Sequence, residues 1–260
     1  MTILDEILAH KRDAVKDTQI RRPLAELKAE ARDVGPTRGF LRALSSEPKP
    51  MGLIAEVKKA SPSRGVIRAD FDPVGLAKSY EDAGATCLSV LTDERYFQGS
   101  TDNLVQCRAA TKIPVLRKDF TVSEYHVYEA RLMGADAILL IVHGLSNLEL
   151  RELYLLSIEL GMDALVEVHT LVEAELAIEL GAQLIGVNNR DLATFEESMT
   201  PANQVLPTVS QHALAVSESS LRSLDDVTHV GGLGARAVLI GTEFCASLDP
   251  GRRVKEVMGW

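Results

Sequence analysis

From residue 51 onward the chain repeats one unit: a short apolar run, a polar loop, an amphipathic stretch, a glycine, then the next apolar run. The glycine belongs to a recurring tag: Ala83-Gly84-Ala85, Met133-Gly134-Ala135, Leu160-Gly161-Met162, Leu180-Gly181-Ala182 and Leu233-Gly234-Ala235. Each tag closes a helical pattern and opens a β-branched run, which is where a left-handed C′ glycine ends a helix. The apolar runs place candidate strands at 52–58, 87–92, 114–118, 137–142, 163–168, 184–188, 213–217 and 237–240. Helices are expected to start near Pro73, Thr101, Ser123, Asn147, Thr170, Pro201 and Leu221, with an eighth after Pro250. Strand and helix alternating at this spacing require parallel strands joined by helical crossovers. Eight such units predict a closed (β/α)8 TIM barrel. The competing open, doubly wound sheet usually carries a Gly-rich loop after its first strand. Here that loop reads Ser61-Pro62-Ser63-Arg64-Gly65, and the cluster Gly231-Gly232-Leu233-Gly234 precedes a strand instead of following one.

Residues 1–50 read as an N-terminal helical extension, and 51–260 as the barrel, within one domain overall. Leu4, Ile7 and Leu8 fall at i, i+3, i+4, with Asp5, Glu6 and Lys11 assigned to the other side. Leu24, Leu27 and Ala31 repeat the pattern, and Arg38 to Leu44 form one further short helix. The segment is expected to cover one end of the core.

The net charge of −9 argues against a nucleic-acid surface, which needs a basic patch. It leaves room for an anionic small substrate, because a local cluster of Lys and Arg can oppose the global balance. The start, Met1-Thr2-Ile3-Leu4-Asp5-Glu6, carries charge where a signal peptide would be apolar, so none is expected. No uncharged apolar run reaches the ~18 residues of a membrane span. Three widely spaced cysteines, Cys87, Cys107 and Cys245, fit neither a disulfide framework nor a zinc motif. A cytoplasmic protein is expected.

The first strand raises a chemical question. Strand side chains alternate, so Glu56 and Lys58 share a face with Ile54, while Leu53, Ala55 and Val57 take the other. A buried acid and base on one face are expensive unless they are paired or used. Barrels of this kind carry their sites at the C-terminal strand ends, and polar residues collect there. Lys118 shares a face with Leu116, and Glu167 with Leu165; the sixth strand runs into Asn188-Asn189-Arg190-Asp191. The seventh runs into Ser217-Glu218-Ser219-Ser220, and the eighth into Gly241-Thr242. Singly, a strand-end Lys is usually solvated and a Glu can cap a helix. Together they converge on one mouth, where lysines and carboxylates perturb one another's pKa and suit paired general acid and base work. The loops bearing Ser219, Ser220, Gly241 and Thr242 offer small residues and accessible backbone N–H groups for a phosphate, with Ser61 and Lys58 completing the cradle. For Ser219 and Ser220 helix capping is the plainer alternative. His143 and His169 fall just past strands four and five, but no pair among the six histidines has metal-ligand spacing, and no metal is expected.

Ile54-Ala55-Glu56-Val57-Lys58-Lys59-Ala60-Ser61-Pro62-Ser63 resembles the signature of the indole-3-glycerol-phosphate synthase family. The resemblance continues through Gly65-Val66-Ile67, Leu91-Thr92-Asp93, Tyr96-Phe97-Gln98-Gly99-Ser100 and Leu116-Arg117-Lys118-Asp119-Phe120. It extends to Val166-Glu167-Val168-His169 and Gly186-Val187-Asn188-Asn189-Arg190-Asp191-Leu192, and so covers essentially the whole chain. It implies conversion of 1-(2-carboxyphenylamino)-1-deoxyribulose 5-phosphate to indole-3-glycerol phosphate, carbon dioxide and water in tryptophan synthesis, by a monomer using no cofactor. Lys118 then resembles the general acid and Glu167 the general base. Lys58 resembles the partner of the anthranilate carboxylate and an acid in dehydration, with Glu56 as its carboxylate partner. Phe97 resembles the hydrophobic cap near the anthranilate ring. Asn188, Arg190 and Glu218 resemble further substrate groups, and Ser61, Ser219, Gly241 and Thr242 match phosphate-loop positions. Where the family usually has a glycine after Glu-Ser, this chain has Ser220. Its N–H can serve there only at negative φ or with left-handed strain tolerated.

Two other readings compete. One is another phosphate-binding barrel, such as a phosphoribosylanthranilate isomerase, which would not require lysines on strands one and three. The other is a barrel that binds without turnover, for which retaining both lysines and Glu167 has no use.

Overall fold

The structure, a computed structural model, describes residues 2–191 and 194–260; Met1 and the motif residue Leu192 lie outside them. Among the described residues eight parallel strands close into a barrel. They are β1 (Gly52–Val57), β2 (Cys87–Leu91), β3 (Val115–Lys118), β4 (Ala137–Ile141), β5 (Asp163–Val168), β6 (Leu184–Asn188), β7 (Leu214–Glu218) and β8 (Ala237–Ile240). β1 pairs with β2 on one side and β8 on the other, which closes the ring. The tags behave as the sequence predicts. Gly84, Gly134, Gly161, Gly181 and Gly234 all take positive φ. At the first, the N–H of Ala85 reaches back to the Tyr80 carbonyl at 2.9 Å and that of Gly84 to Glu81 at 2.9 Å, turning the chain from helix into β2.

Side-chain alternation splits each strand between two layers. Leu53, Ala55, Val57, Val115, Ile138, Val166 and Ile185 pack outward beneath the helices. Ile54, Leu116, Leu139, Leu165, Val216 and Leu239 fill the barrel interior. Moving two residues along the inner row of β1, β3, β5 and β7 replaces these apolar side chains with Glu56, Lys118, Glu167 and Glu218. The apolar floor and the charged mouth therefore follow from one alternation.

The N-terminal segment covers both ends of the barrel, not one. Helix α1 (Ile3–Arg21) lies over the mouth, where Leu4 and Leu8 pack with Val122, Phe120 and Leu145. α2 (Leu24–Glu30) continues down the side, and α3 (Phe40–Ser45) plugs the opposite end, with Phe40 and Leu44 entering the interior cluster beside Cys87, Leu184 and Ala237. The plug is held by charge as well as packing, since Asp163 accepts the Leu41 N–H at 2.8 Å and Asp136 the Arg38 N–H at 2.7 Å. Lys11 corrects the reading of α1. It stands i+7 from Leu4, on the buried face, and its ammonium lies 2.8 Å from Asp93 and 2.6 Å from Asp119.

The helices that follow are α4 (Pro73–Asp82), α5 (Glu94–Phe97), α6 (Thr101–Ala110), α7 (Glu124–Leu132), α8 (Asn147–Glu159), α9 (Leu171–Glu179), α10 (Thr200–Val209), α11 (Leu224–Gly232), α12 (Thr242–Cys245) and α13 (Pro250–Met258). α11 starts later than Leu221 because Ser223 and Asp226 form a capping box, leaving 219–222 as loop. Short helices α5 and α12 carry no periodicity long enough to read in sequence.

Candidate active site

Every residue nominated from the sequence lines one cavity of about 300 Å³ at the C-terminal strand ends. Its centre is Lys118, at the end of β3. The ammonium lies 3.1 Å from Glu167 on β5 and 3.2 Å from Glu218 on β7. Beside this triad, Lys58 reaches back 2.6 Å to Glu56 on the same face of β1. Asn188 at the end of β6 donates to the other Glu167 oxygen at 3.0 Å, and its own side-chain oxygen takes the Arg190 N–H at 3.0 Å.

Backbone space sets these positions. A Cβ at Gly186 would run into the Glu218 carboxylate, and one at Gly241 into Glu56. Only glycine lets β6 and the β8 turn come this close to charged side chains.

The electrostatics follow from burial in a small volume. Burial alone would lower the Lys118 pKa, but Glu167, Glu218 and Glu56 outweigh it and hold the ammonium above the ordinary lysine value. Burial likewise penalises the Glu167 carboxylate, yet Lys118, His169 and Asn188 together bring its pKa below the usual range. Glu218 goes the other way. Burial, with the like charge of Glu167, exceeds the help from Lys118 and pushes it up to about 7. Two carboxylates on one lysine therefore have separated titrations, the pattern that divides acid from base roles.

Around this centre the walls divide by chemistry. Phe97, at the end of α5, tilts against Phe120 with ring centroids 6.2 Å apart. With Leu91, Leu139 and Ile141 these rings give one side an apolar wall. Leu4 and Ile7 of α1, whose helical spacing suggests only packing, close over it together with Ile3. On the other side Ser61, Ser219, Ser220, Gly241 and Thr242 form a rim of small residues. Ser219 and Ser220 both have left-handed backbone, φ 64° and 60°. The strain that Ser220 could have avoided is present. Asn189 supports the turn, donating to Ser217 Oγ at 3.1 Å and to the Ser219 carbonyl at 3.4 Å. Arg190 reaches Ser63 Oγ at 3.2 Å and pairs with Glu197, which also holds Arg222 at 2.6 Å. Glu197 and Arg222 give no motif or spacing signal in the sequence, since they meet only through the folded loops after β6 and β7. Among the described residues no group of three or more His, Cys, Asp or Glu is arranged to hold a metal ion, and no helix is long and apolar enough to cross a membrane.

A closed parallel barrel with a lysine between two carboxylates at its mouth, an apolar wall and a small-residue rim defines an acid–base enzyme of the (β/α)8 class. The family model of indole-3-glycerol phosphate synthase matches residues 4–257. An indole-3-glycerol phosphate synthase from Laribacter hongkongensis is 47% identical over 253 residues, covering 96% of each chain. One from Chlorobium luteolum is 49% identical over 241 residues, covering 93% of this chain and 92% of the relative. In fold alone, a chain of the tryptophan synthase complex from Pyrococcus furiosus superposes with a TM-score of 0.61 at 12% identity, over 80% of this chain and 98% of that one. The chain belongs to the indole-3-glycerol phosphate synthase family, carboxy-lyases of tryptophan biosynthesis.

Proposed function

We propose that the lysine–carboxylate cluster carries out the family's ring closure, decarboxylation and dehydration with the following division of labour. The substrate's phosphate sits on the rim formed by Ser61, Ser219, Ser220, Gly241 and Thr242, and its anthranilate ring lies against Phe97. Lys58 and Arg190 face the anthranilate carboxylate, with Glu56 positioning Lys58 at 2.6 Å. Lys118 protonates the ketose carbonyl oxygen as the ring carbon bearing the carboxylate attacks that carbonyl. The C–C bond to the carboxylate then breaks, its electron pair restores aromaticity, and carbon dioxide leaves. In dehydration an ammonium, Lys58 or Lys118, gives a proton to the departing hydroxyl. Glu167 removes the proton whose loss forms the indole double bond. Asn188 holds Glu167 in place, and Glu218 tunes and contacts the same centre.

The observation that carries this reading is the position of Lys118, within 3.2 Å of two carboxylates and lining the cavity. A charged donor held by acids, beside an acceptor of depressed pKa, meets the two opposed proton needs of the reaction. Holding both reacting ends of one flexible substrate between an anion rim and an apolar wall adds the advantage of proximity. The same reading has the chain act as a monomer in the cytoplasm; three free, buried thiols at Cys87, Cys107 and Cys245 fit a reducing compartment and do not bear on the oligomeric state.

Turnover tests it directly. The purified chain, given the carboxyphenylamino-deoxyribulose phosphate, should develop indole fluorescence together with carbon dioxide. A product still carrying its carboxylate would point to an isomerase, and binding without product to a non-catalytic barrel.

A further inference from the structure

The reaction has a proton imbalance that the site must meet. One proton goes to the carbonyl oxygen and a second to the departing hydroxyl, while the base recovers only one. With the substrate carboxylate lost as neutral carbon dioxide, each turnover consumes one proton from the solvent. Lys118 and Glu167 are 3.1 Å apart, so the recovered proton can pass between them. Where Lys118 gives both protons, the additional one comes from outside while the substrate fills the mouth.

A chain of titratable groups leads from Glu167 to the surface, away from the cavity. His169 follows Glu167 at the end of β5, and its Nε2 stands 3.8 Å from Glu167 Oε1. Its Nδ1 stands 3.6 Å from Glu173 Oε2, in the first turn of α9. The other Glu173 oxygen is 3.3 Å from His143 Nδ1, in the turn after β4. Side-chain exposure runs from 2% at Glu167 through 15% at His169 and 13% at Glu173 to 61% at His143. Glu173 is pinned in this alignment because Oε2 also accepts the His169 backbone N–H at 2.7 Å. His169 Nε2 is buried and has no hydrogen-bond partner among the described residues. A buried ring nitrogen aimed at a catalytic carboxylate and left unpaired is costly for structure alone.

We propose that His143, Glu173 and His169 form a proton relay that brings solvent protons to Glu167, and through it to Lys118, while substrate occupies the mouth. The relay rests on Glu167 and Lys118 having the roles given above. His169 gives the proton on Nε2 to the Glu167 carboxylate, which passes it to the neutral Lys118 amine. The ring starts neutral with its proton on Nε2, so Nδ1 first takes a proton from Glu173, which takes its own from His143, and only then does the Nε2 proton leave. Between turnovers, with the mouth open, Nε2 is reprotonated through Glu167 as the Nδ1 proton returns to Glu173. Each step forms one N–H or O–H bond and breaks another, and needs no further reactant. The two longer gaps exceed an N–H···O bond of ~2.7–3.2 Å, and catalytic hydrogen bonds often tighten only with substrate in place. The charges around His169 favour a proton-bearing ring. Burial opposes the imidazolium, but Glu173, Glu167 and Glu218 outweigh it and raise its pKa above the usual value. His169 acts through Glu167 and touches no substrate.

The test is steady-state turnover of His169→Ala, His169→Gln and the exposed His143→Ala, with imidazole as the added probe. For His169→Ala, kcat should fall about tenfold or more with KM within about twofold, and rise again with imidazole concentration, while the wild type ignores imidazole. His169→Gln should lose kcat similarly, and His143→Ala should lose less, most visibly at high pH where solvent protons are scarce. Unchanged kcat in His169→Ala and His169→Gln would overturn the relay, and so would a loss that imidazole does not restore. Should His169→Ala fail to fold, His169→Gln and His143→Ala decide: wild-type kcat across the pH range in both rejects the relay. Glu167→Gln separates this from the assignment beneath it. Near-normal turnover there removes the base role itself, whereas loss there beside normal His169 variants removes only the relay.

Discussion

Glu218 lies 3.2 Å from the Lys118 ammonium, yet its carboxyl is pushed up to about 7. Burial and the neighbouring Glu167 charge overcome the lysine. One Glu218 oxygen, packed over Gly186, also has no hydrogen-bond partner among the described residues. The charged form is therefore the costly one, and the sign of its pH effect follows. Between the ordinary value of 4.5 and about 7 the folded chain holds more protons than the unfolded one. Stability from this group is full below the ordinary value and is lost as pH rises through the folded value. Glu218→Gln should be more stable than wild type at about pH 8 by on the order of 2 kcal/mol, and equal to it in acid. Urea unfolding at both pH values checks this. Ionised Glu218 also tightens the hold of Lys118 on its proton. The wild-type kcat should decline above about pH 7, and the Glu218→Gln profile should lack that limb.

Lys11 ties α1 across the mouth through Asp93 and Asp119, both buried. Removing the cation leaves two buried carboxylates facing each other. Lys11→Met should cost about 3 kcal/mol in unfolding free energy and raise KM, because Ile3, Leu4 and Ile7 then lose their fixed place over the cavity. Asp119, held down to about 2 by Arg117 and Lys11 against its burial, adds a pH signature. Its contribution is present above the ordinary carboxylate value and is lost as pH falls toward about 2. Acid-unfolding curves should therefore differ in slope between wild type and Lys11→Met in that window.

Ser220 occupies left-handed backbone at φ 60°, where a side chain costs about 1–2 kcal/mol and glycine little. Ser220→Gly keeps the backbone N–H on the rim and relieves the strain. Against the greater freedom of glycine when unfolded, a net gain of about 0.5–1 kcal/mol is expected, with KM no higher than wild type. Thermal unfolding and substrate saturation measure the two. A clear loss of stability would show that the Ser220 hydroxyl, 3.5 Å from the Asn189 carbonyl, contributes more than the strain removes.

Much of this was legible in the sequence for one reason: regular alternation carries both fold and site. Positions two apart on a strand share a face, so Ile54–Glu56–Lys58, Leu116–Lys118 and Leu165–Glu167 could be read inward before any contact was known. The glycine tags supplied the helix ends and hence the count of units. What escaped depended on contacts distant in sequence. Lys11 meets Asp119 across more than a hundred residues, and a lysine on a helix face is usually solvated. Glu197 bridges Arg190 and Arg222 from a loop with no periodicity. That Glu218 rather than Glu167 is the raised carboxyl depends on His169 and Asn188 reaching Glu167 alone, since the two are equally buried, and spacing does not reveal those contacts.

The general-acid role of Lys118 is the centre of the proposed chemistry, and Lys118→Ala tests it with one assay. Its helix content and unfolding midpoint should first be shown to be those of a folded barrel. Indole fluorescence from the carboxyphenylamino-deoxyribulose phosphate should then fall by about 10²–10⁴-fold, with substrate binding retained within a few-fold. Ring closure persisting within about tenfold of wild type would contradict the assignment and move the acid to Lys58.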